Sequence, residues 1–401
     1  MSTATPNAAL PPGHPGFATE FVDQGLERAR QAGASDVHWV PTAEGLETWW
    51  RIDGALRKVG SVPASVAPNV VARLKVLAGL LTYRTDLPQE GRIRGGPGDV
   101  EMRASTFPTL HGEKAVVRLF AGPGRFQRLD DLGLPDDLVA ELVALLGETS
   151  GAILLSGPAG SGKTTTLYAC LRELVAANAG RRSLVALEDP IEVAVPGVAQ
   201  SQVNPAAGFD LAAGLRSLVR QDPEVIGIGE IRDRTTAEVA LQASLTGHLV
   251  LATFHAGGAA GALGRLLDMG LEPYALRSGV LASVGLQLVR TLCDDCAEDD
   301  DDPDARLGLA VERWRKPIGC PNCGETGYRG RAVLAEILHL RAPAVGRAIL
   351  DRLDVDALAD RAVEAGMLTR LDRARAMVEA GRTTPGEVRR VLGFAGRSGR
   401  I

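Results

Sequence analysis

Long apolar runs are missing from this 401-residue chain: none approaches the ~20 residues that a membrane-spanning helix requires. No charged segment followed by an apolar one opens it, so no secretory leader is read. Charge of neither sign dominates, with 44 Lys and Arg against 49 Asp and Glu and a formal net charge of −5. That mildly acidic balance argues against a protein that holds nucleic acid through bulk charge. There is no internal repeat and no heptad run, which leaves out solenoids and coiled coils. Cysteine is scarce, five residues in all. The expectation is a cytosolic chain long enough for two or three domains with full cores.

Set against these absences is one strong motif. Gly157-Pro158-Ala159-Gly160-Ser161-Gly162-Lys163-Thr164 fits G-x-x-x-x-G-K-[ST], the phosphate-binding loop. The apolar run Ala152–Leu155 precedes it and a helix-forming stretch from Thr165 to Ala177 follows, the strand–loop–helix context the motif needs. Glycines let successive backbone N–H groups turn toward phosphate oxygens, and the helix start adds its positive dipole end. Lys163 is expected on the β- and γ-phosphates and the Thr164 hydroxyl on Mg²⁺. Thr165, next along the helix, completes the expected ATP-binding set.

Four of the cysteines form two C-x-x-C pairs, Cys293/Cys296 and Cys320/Cys323. In a cytosolic chain such knuckles argue for tetrahedral zinc rather than disulfides, with a redox pair or unligated thiols as the other readings. Pro321 and Gly324 supply a tight turn for the second knuckle. Cys170 stands alone and reads as a small buried hydrophobe.

The rest of the chain sorts into segments. Residues 1–16 read as a disordered tail, 17–121 as a small α/β module and 122–130 as a linker around Gly122-Pro123-Gly124. In the module, Val37–Val40, Leu46–Ile52, Val100–Ser105 and Ala115–Leu119 read as strands, with Asp53-Gly54 as a hairpin turn. Val70, Leu74, Leu77 and Leu81 share a helical face, with Arg73 and Lys75 pointing elsewhere. Residues 131–290 alternate strands with helices, the pattern of a mainly parallel sheet. Its strands are Ala152–Leu155, Leu184–Leu187, Val225–Ile228 and Leu249–Ala252, and Thr235 with Glu238 reads as a capping box. Residues 291–332 hold the cysteines, with Glu298–Asp302 as a solvated acidic insertion. Residues 333–401 read as a helical region, where Thr384-Pro385-Gly386-Glu387 starts a helix.

Ligands of open α/β sheets sit beyond the carboxyl ends of the strands. There the chain places the phosphate loop, then Glu188 and Asp189, then Glu230, then Thr253 and His255. Glu230 is the candidate for polarising the attacking water, and Glu188 for supporting Mg²⁺ or that water. The acid that usually precedes such a glutamate is Gly229 here, which leaves the metal's outer partner open between Glu188 and Asp189. His255 reads two ways, as a sensor of the γ-phosphate or as a satisfied structural histidine. His248 begins the same strand, some 20 Å away, and is expected to serve packing or a subunit boundary.

Together these motifs resemble the bacterial secretion and pilus-assembly ATPases of the GspE/PilB type. Ala34-Ser35-Asp36-Val37-His38, Arg51-Ile52-Asp53-Gly54 and Leu87-Pro88-Gln89-Glu90-Gly91-Arg92 look like that family's PAS-like N-terminal domain. Glu188-Asp189-Pro190-Ile191-Glu192 is similar to its Asp box, Gly229-Glu230-Ile231-Arg232-Asp233 to its atypical Walker B, and Thr246-Gly247-His248 through His255 to its His box. The cysteine knuckles followed by Thr326-Gly327-Tyr328-Arg329-Gly330-Arg331 resemble the assembly branch. The resemblance implies a RecA-like P-loop core, ATP hydrolysis, a cytoplasmic homo-hexamer and docking on an inner-membrane platform protein to drive pilin or pseudopilin extrusion. It also implies that Arg92 and Arg103 complete a neighbouring subunit's site, the alternative being ordinary pairs with surface carboxylates. Two departures stand out: a short tail where larger members carry an extra N-terminal domain, and Ala256-Gly257-Gly258-Ala259 where the family usually has Thr-Asn-Asp. The rival readings are an ATP-binding regulatory homologue without turnover and a zinc-containing P-loop protein that binds nucleic acid.

Overall fold

The computed structural model describes residues 10–93, 102–119, 126–178 and 180–393, and it divides into two units, 1–124 and 125–401. Of the expected tail, residues 1–9 lie outside the described part, as do Gly122-Pro123-Gly124 and Val100. Residues 10–16 are turns rather than loose chain, and the Leu10 amide donates to Glu20 at 3.2 Å.

In the first unit, helix α1 (Phe17–Gln31) leads to strands β1 (Asp36–Pro41), β2 (Gly45–Ile52) and β3 (Ala55–Pro63). Helix α2 (Ala67–Leu77) and strands β4 (Gln89–Ile93), β5 (Met102–Thr109) and β6 (Gly112–Leu119) complete it. The six strands form one antiparallel sheet in the order β3-β2-β1-β6-β5-β4. Asp53 and Gly54 both take positive φ, 50° and 82°, which makes the β2–β3 turn the expected tight hairpin. The core gathers Phe21, Trp39, Leu46, Val70, Leu74 and Val117.

Lys75 corrects the helical-face reading. It is fully buried, its Nζ donating to the Arg84 carbonyl at 2.7 Å and lying 2.5 Å from Glu113. A cation can enter a core only with such partners. Leu81, expected on the same face, lies beyond α2 and is exposed.

The second unit begins with α3 (Asp136–Leu146), β7 (Gly151–Ser156), α4 (Lys163–Ala177), β8 (Leu184–Glu188) and β9 (Ala199–Gln202). It continues through α5 (Leu211–Leu218), β10 (Val225–Ile231), α6 (Arg234–Leu245), β11 (Leu249–Phe254), α7 (Ala259–Asp268) and α8 (Pro273–Gly279). Then come β12 (Val280–Leu292), β13 (Glu298–Asp300), β14 (Trp314–Lys316), β15 (Tyr328–His339) and the helices α9 (Pro343–Leu350), α10 (Val355–Glu364), α11 (Arg370–Glu379) and α12 (Pro385–Leu392).

Seven of these strands make one sheet, β15-β12-β7-β11-β10-β8-β9, in which all neighbours are parallel except β15 against β12. Every residue of β7, β8 and β11 is buried, as expected of parallel strands covered on both faces. One apolar cluster joins the sheet to α3 and α4, and another joins it to α5 through α10. The α/β fold read from the sequence is the fold observed.

Three local expectations change. Helix α6 is capped by Asp233, whose side chain accepts from the Thr236 amide at 2.8 Å; Thr235 lies inside the helix and Glu238 pairs with Arg234 instead. Aspartate two residues upstream is at least as good a cap as threonine. The acidic stretch is partly a strand, since Glu298–Asp300 pairs with Trp314–Lys316. Finally, positions 290 and 332 fall inside β12 and β15, so the cysteine segment is an excursion between two paired strands of the core sheet.

Candidate functional site

Strand β7 delivers the phosphate loop to the carboxyl edge of the sheet. Glycine is required at two points. At Gly157 a Cβ would stand 2.4 Å from both the Leu286 carbonyl and Ser161 Oγ, and at Gly162 a φ of 96° turns the chain into α4. Gly162 offers no side chain to the first N–H groups of α4, which leaves them without a side-chain cap. Ser161 Oγ is buried without a protein partner among the described residues, an orphaned donor at the place where phosphate oxygens are expected. These features fit a bound nucleotide phosphate.

Lys163 is buried, and its Nζ donates to the Gly157 and Pro158 carbonyls at 2.8 Å each. Burial pushes its ammonium below the ordinary lysine range, while the charges of Glu230 and Glu192 pull it back up. The loop lysine and the candidate base Glu230 both stand at the carboxyl edge of the sheet. Thr164 and Thr165 open α4 and are half-buried.

The strand order explains this grouping. Beside β7 runs β11, with Phe254 opposite Ser156, and His255 emerges there next to the loop; the Gly157 amide donates to the Phe254 carbonyl at 3.2 Å. Strand β10, carrying Glu230, lies one strand further out, about 10 Å from β7 by the usual strand spacing. Between Ile228 and Ile231 its register slips against β11, and Thr253 Oγ1 donates to the Gly229 carbonyl. Gly229 also explains the missing acid. A Cβ there would stand 3.1 Å from Glu188 Cα, so the carboxylates come from the neighbouring strand instead.

Those carboxylates divide. Glu188 ends β8 fully buried, with Tyr168 of α4 donating to one oxygen and Gln200 of β9 to the other at 2.8 Å. Burial holds its carboxyl above the usual range, and those two hydrogen bonds offset part of that rise. Each oxygen of this carboxylate, expected to support Mg²⁺ or the attacking water, thus accepts a hydrogen bond from within the protein. Asp189, the next residue, is exposed and lies 3.4 Å from Arg232, whose Nε donates to Glu230 at 2.6 Å. The open acidic pair at this edge is Asp189 and Glu230, bridged by Arg232.

His255 is exposed, and its carbonyl accepts from Arg265 at 2.7 Å. His248 sits at the far end of β11 with Nδ1 3.0 Å from the Ala243 carbonyl at the end of α6, a packing position away from the loop.

Arg92 and Arg103 belong to the first unit. They stand directly opposite each other on β4 and β5, and the same cross-strand row continues through Arg118 on β6, Asp36 on β1 and Arg51 on β2. Residues opposite one another share a face, so four arginines and one aspartate line up on one side of the sheet. Asp36 takes Arg118 Nε at 3.1 Å and lies 3.6 Å from Arg51. Arg103 Nε is buried without a hydrogen-bond partner among the described residues. Asp36, Glu90, Arg92, Arg103, Ser105 and Arg118 line a cavity of about 490 Å³. Arg118 escaped the sequence reading; a strand alternation pinned to the β5–β6 hairpin would have found it.

The cysteines converge. Their Sγ atoms lie within 4.8 Å of one another, with separations of 3.9 Å (Cys293–Cys320), 3.8 Å (Cys296–Cys323) and 3.7 Å (Cys320–Cys323). Zn–S bonds of about 2.3 Å in a tetrahedron give sulfur separations of about 3.8 Å, so the cluster is compatible with zinc. The second knuckle turns as expected through Pro321–Cys323 into a left-handed Gly324. Burial would raise the Cys323 thiol. It is outweighed by the backbone N–H groups of Cys320 and Gly327, each 3.2 Å from Sγ, and by the neighbouring thiols, which bring it down to about 6. Cys170 is fully buried and its thiol is pushed up to about 12 by desolvation, the inert state expected of it.

A family model for type II/IV secretion system proteins matches residues 14–390. The type II secretion system protein HxcR of Pseudomonas aeruginosa is 40% identical over 373 residues, 91% of this chain and 75% of that protein. Type II secretion system ATPase E of Vibrio cholerae is 41% identical over 327 residues, 80% of this chain and 64% of that one. The type IV pilus assembly ATPase PilB of Thermus thermophilus is 39% identical over 331 residues, 80% of this chain but 37% of that one. In fold, the ATPase DotB of Legionella pneumophila matches with a TM-score of 0.68 at 22% identity, over 92% of this chain and 94% of that one. Among the described residues, no helix is long and apolar enough to cross a membrane.

Proposed function

The chain belongs to the type II/IV secretion system protein family and is an ATPase of the secretion and pilus-assembly class, and from that premise we propose how its residues work. ATP lies with its phosphates in Gly157–Thr165, Lys163 on the β- and γ-oxygens and Thr164 on Mg²⁺. The metal, when bound, offsets charge on those oxygens. Glu230 orients and polarises the attacking water. Asp189 serves as the metal's outer partner, and Glu188 holds α4, β8 and β9 in register from beneath. His255 stands where the terminal phosphoryl is expected.

The observation that carries this reading is geometric: buried Lys163 and the unpartnered Ser161 hydroxyl stand at the carboxyl end of β7, two strands from Glu230 on β10 in the same sheet. The arginine row supplies the rest. Like charges set side by side on a sheet repel, a cost that an anion on that face offsets. We assign that anion as the phosphates of ATP on a neighbouring subunit of a homo-hexamer, met by Arg92 and Arg103. Such arginines contribute orders of magnitude to phosphoryl-transfer rates. The ring would work at the cytoplasmic face of the inner membrane, docked on a platform protein, to assemble pilins or pseudopilins, with Zn²⁺ fixing the four-cysteine excursion.

Steady-state phosphate release tests the chemistry. Lys163→Ala and Glu230→Gln should each lose turnover, and Glu230→Gln should still bind ATP. Wild-type turnover in Glu230→Gln would remove that residue as the base.

A further inference from the structure

The loop after His255 is held from outside the nucleotide edge. Ser156, the last residue before the phosphate loop, donates through Oγ to the Gly258 carbonyl at 3.0 Å. Gly258 has no room for a side chain, because a Cβ would stand 2.5 Å from Arg370 Nη2 and 2.7 Å from Glu336 Oε1. Arg370, at the first turn of α11, donates through Nη2 to the Gly257 carbonyl. Glu336, near the end of β15, accepts from the Ala259 amide at 3.0 Å, which satisfies an opening N–H of α7. The two side chains meet, Arg370 Nε lying 3.2 Å from Glu336 Oε1, and both are largely buried.

The pair therefore occupies the space that a side chain on residue 258 would fill. On its other side, Arg370 and Glu336 line a cavity of about 330 Å³ together with Leu371, Val388 and Arg389. The loop is thus held by these polar contacts as well as by Ala256 and Ala259, which pack in the apolar core.

We propose that Arg370 and Glu336 are positioning residues for ATP hydrolysis: they fix residues 255–259 against the phosphate loop, and so tie α11 to the nucleotide edge. This rests on the ATPase reading above, because the loop matters only if His255 faces a reacting phosphoryl. Neither residue touches nucleotide; both act through the backbone of Gly257 and Ala259.

The test is phosphate release by the full chain over a range of ATP concentrations, with melting temperatures measured in parallel. Arg370→Ala should lower kcat on the order of ten- to a hundredfold with little change in KM, since small misplacements of reacting groups carry costs of that size. Arg370→Lys should recover part of the loss. Gly258→Ala, which displaces the guanidinium from the loop side, should reproduce it. The two changes together should cost no more than Arg370→Ala alone, as expected of substitutions that break one contact. Arg373→Ala, on the same helix but paired with Asp137, should keep the wild-type rate. Wild-type kcat in Arg370→Ala overturns the proposal, as does an equal loss in Arg373→Ala. If Arg370→Ala does not fold, wild-type kcat in Gly258→Ala overturns it. An inactive wild type would instead overturn the ATPase reading.

Discussion

Removing the charge of Glu387 should loosen the C-terminal helices by a calculable amount. This carboxylate is fully buried at the start of α12 and ties that helix to β12. It accepts from the Arg290 amide at 2.8 Å, from Arg290 Nε at 3.0 Å and Nη2 at 2.7 Å, and from Arg390 Nε at 2.7 Å. Arg290 in turn lies 4.1 Å above the Tyr328 ring, whose hydroxyl reaches Thr384 at 2.9 Å. Glu387→Gln keeps an acceptor for the Arg290 amide but strands a mostly buried guanidinium, which costs about 3 kcal/mol. Arg390 is more than half exposed, so its share is screened and adds little. For a unit of this size, about 3 kcal/mol corresponds to a melting shift of roughly 6 °C. Burial alone would raise the Glu387 carboxyl, but Arg390 and Arg290 outweigh it and hold it below the usual range. A depressed carboxylate stabilises fully above its unfolded value of about 4.3 and stops doing so as pH falls through the folded value. Thermal melts of wild type and Glu387→Gln should therefore differ at pH 7 and converge as the solution is acidified below pH ~4. A difference under about 1 °C at pH 7, or one that persists unchanged in acid, refutes the reasoning.

Other outcomes follow from the same structure. A strong zinc chelator or Cys323→Ser should release one zinc per chain by atomic emission and lower the melting temperature; metal-free protein with the wild-type melt would dismiss structural zinc. Asp36→Ala should leave Arg118 and Arg51 unsteered and lower the turnover of the full chain. Equal turnover would confine the arginine row to a structural part. Tyr168→Phe strips a hydrogen bond from buried Glu188 and should cost about 1–3 kcal/mol in urea melts. An unshifted midpoint would show that Gln200 alone suffices.

How much of this could be read beforehand depends on how local the determining interaction is. Strands β7, β8, β10 and β11 declared themselves because both their faces are covered, so each is a short apolar run with no alternation to decode. The phosphate loop was legible for a similar reason: its glycines, lysine and threonine act through the eight consecutive residues that form it. Glu230 and His255 were nominated by the rule that ligands sit past the strand ends, although β10 runs on through Ile231 and so contains Glu230. Failure began where a residue's role is fixed by a partner far along the chain. Lys75 looks like a solvated face until Glu113 is brought to it, and nothing beside Glu188 in the chain announces that Tyr168 and Gln200 donate to its oxygens. Strands β12 and β15 were passed over because their pairing spans the whole cysteine excursion, and no local pattern marks two strands that recognise each other across it. The glycines at 257 and 258 make the sharpest case. In sequence they are a loss of polar groups; in the fold Gly258 is the clearance that lets Arg370 and Glu336 reach the loop backbone, and the Gly257 carbonyl is what Arg370 holds. A gap in a motif is therefore better read as a request for a partner elsewhere in the chain than as a loss of function, and here that partner sits on the far side of the cysteine knuckles.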